Sequence, residues 1–156
     1  MRSRSLFVVA LMLAAHAAAA SETTAEVLKL RPTATVYADA NGVPLRVPQG
    51  VGCGAGDAIL VADSGNGRVI RVEISGVLAR VTGVVKLPEI AYPIRVDGDA
   101  AGILVVLDGK SRRLARVRAD GSFGGWIDVP RAEGAPAPVI RSFALGPQGA
   151  VVAADV

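Results

Sequence analysis

Two stretches of this chain repeat one another at a spacing of 44 to 45 residues, and that spacing constrains the fold more than any other feature. "AILVADSGNGRVIRVEISG" begins at Ala58 and "GILVVLDGKSRRLARVRADG" begins at Gly102. Ile59-Leu60-Val61 corresponds to Ile103-Leu104-Val105. Arg71-Val72 corresponds to Arg116-Val117 after one inserted residue, and Gly76 to Gly121. A third copy starts in "GAVVAADV" at Gly149–Val156, with Asp155 in the place of Asp63. A further short strand precedes each copy, in "GVGC" near Val51, "PIRVDGD" near Ile94 and "IRSFALG" near Phe143. The apolar runs are short, rich in β-branched residues and punctuated by Gly, Pro, Asn and Asp, which predicts an all-β chain. A period of about 40 to 50 residues with several strands per repeat is that of a β-propeller. The expected fold is therefore a set of propeller blades, each a four-stranded antiparallel sheet.

The junction "LVADSGNGRVIRV" between Leu60 and Val72 carries the densest local information. Neighbouring antiparallel strands need a tight turn, and Asn66-Gly67 tolerates positive φ at little cost. Asp63 is placed to accept hydrogen bonds from turn amides that otherwise lack partners. Arg68 opens the next strand, where a fixed guanidinium bonds a carboxylate or loop carbonyls. Beyond it Ile70, Val72 and Ile74 alternate with Val69, Arg71 and Glu73 across the two faces. Blade construction accounts for Asp63, Asn66, Gly67 and Arg68 as a structural motif.

The stretch Val61–Val72 also resembles the NHL-repeat family of β-propellers, matching its V-x-D-x-x-N-x-R-[VI] core nearly residue for residue. The second copy departs from that pattern: Leu107 replaces the Asp, Asp108 is shifted by one and Lys110 replaces the Asn. The resemblance spans roughly Val47 to Val156. It implies a ring of five to eight blades, whereas two repeats and the start of a third are recognisable. The expectation is that the chain is a fragment of a longer propeller; a ring assembled from several copies and an open arc are the alternatives. In either open form, unpaired strand edges invite self-association.

The N-terminus reads as a secretory signal peptide over residues 1–20. Arg2 and Arg4 form a positive region, Leu6 to Ala15 is apolar, and Ala18-Ala19-Ala20 suits cleavage before Ser21. The apolar run is shorter than the roughly 18 to 20 residues of a bilayer span, so no stable membrane anchor is expected. Residues 21–46 form an N-terminal segment with a hairpin around Asn41-Gly42, and the propeller repeats follow from 47 to 156. Cleavage lowers the formal charge from +3 to +1 and removes His16, the one histidine of the chain. The expected location is periplasmic or secreted. A near-neutral chain with few aromatics gives no case for nucleic acid. Cys53, the single cysteine, is expected to be a buried small hydrophobe beside glycines.

The remaining charge concentrates in Lys110, Arg112, Arg113, Arg116 and Arg118. Lys110, Arg112 and Arg113 fall on the turn equivalent to Ser64–Arg68, on the loop face that propellers of this family use for binding. They are the candidate site for a protein partner or an acidic ligand. Phe123 and Trp126 are expected to fill the space between blades. No Ser-His-Asp set, phosphate loop or oxygen-ligand loop is evident, so no catalytic residue, metal or cofactor is assigned. The expected function is an exported binding or interaction scaffold. The alternative is the amino-terminal part of a propeller enzyme of the lyase or lactonase type.

Overall fold

The computed structural model describes residues 29–131 and 133–155. The signal-peptide expectation therefore lies outside the described residues. The secondary structure falls within the unit Pro32–Val156. The first sheet is β1 (Pro48–Cys53), β2 (Ala58–Asp63), β3 (Arg68–Ser75) and β4 (Leu78–Lys86). The second is β5 (Pro93–Gly98), β6 (Leu104–Asp108), β7 (Leu114–Val117) and β8 (Phe123–Ile127). A third holds β9 (Ser142–Leu145) and β10 (Val151–Ala154). Every strand pairs antiparallel with its sequence neighbour, and no sheet closes into a barrel. The chain is all-β, with the arrangement of an incomplete propeller.

Packing between the sheets explains the apolar runs. Leu60, Ala62, Val69 and Val85 of the first sheet meet Val96, Leu104, Val106, Ala115 and Val117 of the second. The opposite face of the second sheet, with Val105, Leu107 and Leu114, packs against Ile140 and Phe143. The second sheet is thus covered on both sides, and all five residues of β6 are buried. A strand buried on both faces loses the apolar–polar alternation, which is why "ILVVL" reads as one continuous run. Each fully buried Val or Leu contributes about 1.5–3 kcal/mol of transfer free energy.

The pairing corrects the sequence alignment of the two copies. Pro48 faces Asp63 and Cys53 faces Ile59 in the first sheet; Pro93 faces Asp108 and Gly98 faces Leu104 in the second. The offset is therefore 45 throughout, with no inserted residue, and it holds through β3 and β7, where Leu60↔Arg71 matches Val105↔Arg116. Asp108, not Leu107, takes the place of Asp63, and Ser111, not Lys110, takes that of Asn66.

Glycines let the first strands of the two sheets touch. A Cβ on Gly52 would meet the Val96 carbonyl oxygen and lie 2.9 Å from its carbon; one on Gly50 would lie 2.9 Å from the Arg95 Cα. With Gly50 and Gly52 turned toward β5, the two-residue period sends Val51 and Cys53 to the other side. Both are exposed there, Val51 at 71%. The expectation of a buried Cys53 is therefore overturned by its phase along β1.

Candidate functional site

The turn after β2 shows how one blade is tied together. Asp63 is fully buried. Its carboxylate accepts from the Arg46 N–H, the Asn66 side-chain amide and the Arg68 Nε, each at 2.7 Å. Arg68 also pairs with Asp39 and donates to the Val43 carbonyl at 3.2 Å. Asn66 donates as well to the Pro44 carbonyl at 2.9 Å. Residues 37–46 supply the partners outside the motif itself, folded as a turn with the Leu45 N–H on the Tyr37 carbonyl at 2.8 Å and Gly42 at a φ of 78°. Asp63, Asn66 and Arg68 thus fasten this N-terminal turn onto the first sheet. Ser64 extends the tie by donating its hydroxyl to the Pro93 carbonyl at the start of β5.

The local geometry differs from a two-residue hairpin. Ser64–Asn66 form a 3-10 turn, and Gly67 alone takes the left-handed conformation, φ 61° and ψ 41°. Asp63 takes its backbone bond from Arg46, 17 positions upstream, rather than from the turn amides. This clamp recurs: Asp108 accepts from the Tyr92 N–H at 3.0 Å and Asp155 from the Val139 N–H at 2.7 Å. In each case an Asp at the end of a sheet's second strand holds the segment that leads into its first.

Charge in these clamps is set by burial against hydrogen bonding. Burial pushes the Asp108 carboxyl up, but the Ser111 side chain and the N–H groups of Ser111, Lys110 and Tyr92 outweigh it. The net shift is downward. The Val43 N–H holds Asp39 below the usual carboxylate range; the Asn41 N–H and Arg68 assist, against burial. Burial works against the Arg68 charge, yet Asp63 and Asp39 together raise its pKa.

The equivalent turn of the second sheet borders a cleft of about 390 Å³. Arg112, Arg113 and Arg131 line it together with Asp128, over apolar surface from Leu114, Ile127, Val129 and Ile140. Among the described residues none of these three arginines makes an ion pair. Arg113 lies instead over the Trp126 ring, 4.6 Å from its centroid. Trp126 makes an edge contact with Phe123 at 5.6 Å, and both rings pack on the core between the first two sheets. Lys110 is exposed and does not line the cleft; it contributes its N–H to Asp108 at 3.3 Å.

No family model matches the chain, and no curated protein matches it. The cleft's chemistry therefore rests on its own residues. Arg131 and Ile140 escaped the sequence reading because the connection from β8 to β9 carries them and no motif marks it. They are the two ends of the stretch "RAEGAPAPVI". Arg116 and Arg118 lie elsewhere. Arg116 lines a smaller cavity with Asp99, and Arg118 donates to the Phe123 carbonyl at 2.7 Å. Among the described residues no three His, Cys, Asp or Glu side chains gather as a metal-holding group, and no helix is long and apolar enough to cross a membrane.

Proposed function

We propose that the chain is an exported, NHL-like propeller segment that serves as a binding scaffold, holding an acidic partner on the loop face at Arg112 and Arg113. The observation that carries this reading is the cleft beside that turn, where three arginines outnumber one aspartate and none is engaged by a carboxylate among the described residues. Guanidinium groups in that state attract anionic groups and bind them through paired N–H donors. A polyglutamate peptide is the probe. Its binding is expected to weaken with added salt and to be lost in an Arg113→Glu/Arg131→Glu variant. Unchanged binding in that variant refutes the assignment of the face. Export rests on the Arg2–Ala20 pattern, and intact-mass analysis of exported material is expected to show Ser21 as the first residue.

A further inference from the structure

We infer that the cleft beside Arg112 and Arg113 binds a small carboxylic acid with an apolar body, a deepening that rests on reading this face as the binding face. Its size, about 390 Å³, lies in the range of small-molecule sites. Its accessible apolar surface comes from the half-buried Ile127, Val129 and Pro138 and the exposed Ala137, backed by the buried Leu114 and Ile140. A bare inorganic anion leaves that surface uncovered, whereas an alkyl or aryl body covers it.

The corresponding turn of the first sheet shows what the head group is. At the offset of 45, Arg113 stands where Arg68 stands. Arg68 is held by two carboxylates, one from its own sheet, Asp63, and one brought from outside it, Asp39. Arg113 has neither. Asp108, at the position of Asp63, is occupied by the N–H groups of Tyr92, Lys110 and Ser111. The Arg113 guanidinium rests on Trp126, and Arg113 is itself one of the residues that line the cleft. A ligand carboxylate in the cleft gives Arg113 what Asp39 gives Arg68.

Arg112 is the independent second observation. Its φ is 57°, the left-handed region, and its counterpart in the first sheet is Gly67 at 61°. The two backbones play the same part, Gly67 accepting the Leu87 N–H and Arg112 the Ile140 N–H, each at 3.3 Å. Glycine serves that turn without strain, so arginine is the costlier residue there. Backbone strain at a residue that borders a cleft points to a role for its guanidinium there.

Trp126 is the only tryptophan in the chain and reports directly on Arg113. Octanoate, added to the protein, is expected to change its emission saturably as the carboxylate draws Arg113 off the indole. Octanamide, which keeps the body and loses the charge, is expected to bind at least about tenfold more weakly, and acetate not measurably. Arg112→Gly is expected to weaken octanoate by roughly tenfold while raising the Tm by roughly 3 °C, since the turn relaxes. Arg131→Gln is expected to weaken octanoate without that gain. Equal binding of octanoate and octanamide, or no saturation by about 10 mM octanoate, overturns the inference. An Arg112→Gly variant that is more stable and binds octanoate as the parent does also overturns it. Polyglutamate binding without octanoate binding refutes the small-acid inference and leaves the wider reading standing; octanoate binding without polyglutamate binding supports the inference and confines the face to small acids, and binding of neither refutes both.

Discussion

Replacing Asp63 with alanine removes the centre of the turn that joins residues 37–46 to the first sheet. The carboxylate is fully buried and accepts three bonds of 2.7 Å. Arg68, itself only 8% exposed, keeps Asp39 as its remaining carboxylate. Breaking a buried pair by removing one partner costs about 3–5 kcal/mol, and the surviving contact to Asp39 places this case near the lower end. The orphaned Arg46 N–H adds about 1 kcal/mol. Asn66 retains the Pro44 carbonyl and adds little. The expected loss is about 4 kcal/mol, a large fraction of the roughly 5–15 kcal/mol that stabilises a domain. Urea unfolding followed by Trp126 emission and far-ultraviolet circular dichroism measures it, with an unchanged slope required for the comparison. The double variant Asp63→Ala/Arg68→Met is expected to lose about 1–2 kcal/mol less than the sum of the two single variants, because each single change already breaks the Asp63–Arg68 pair. A loss below about 1 kcal/mol for Asp63→Ala, or strict additivity in the double variant, refutes the account of a buried, coupled clamp.

Gly52→Ala is expected to cost about 2–3 kcal/mol, since the new methyl lands on the Val96 backbone and nothing flexible stands there to yield. Gly42→Ala meets open space at a φ of 78° and is expected to cost about 1 kcal/mol, so thermal melts of the two variants separate steric from conformational strain. The folded-state pKa of Asp108 is lowered, so its stabilisation is present above the unfolded value near ~3.9 and lost as pH falls through the folded value; Asp108→Asn is expected to flatten the decline of stability on that acid limb, and an unchanged limb contradicts the clamp. Cys53 is exposed, so Ellman's reagent is expected to modify the native protein nearly as fast as the urea-unfolded chain, whereas strong protection contradicts the phase assigned to β1.

Much of the architecture was legible because it is local. Turn residues and short β-branched runs mark where strands stop, and the Asp63, Asn66 and Arg68 spacing marks a turn whose members bond one another. The alignment of the second copy slipped by one over Ile103–Leu107 for a physical reason. That strand is buried on both faces, so no alternation anchors its phase, and the pairing of Pro93 with Asp108 had to do so. The candidate site was half legible. Arg112 and Arg113 stand out as charge, while Arg131 and Ile140 reach the cleft only through the course of the segment after β8.

By itself the sequence determined the all-β character, the strand-and-turn rhythm near 45 residues and the identity of the turn residues. Backbone preference and side-chain alternation act between near neighbours and are written wherever those neighbours are. Tertiary structure alone decided that Asp39 closes the Arg68 pair, that Gly52 rests on the β5 backbone, that Cys53 faces outward and that Arg112 occupies a glycine's conformation. Each depends on which face of one sheet meets another segment. That choice is made by burying apolar area among residues distant in the chain, and no short window of sequence contains both sides of such a contact.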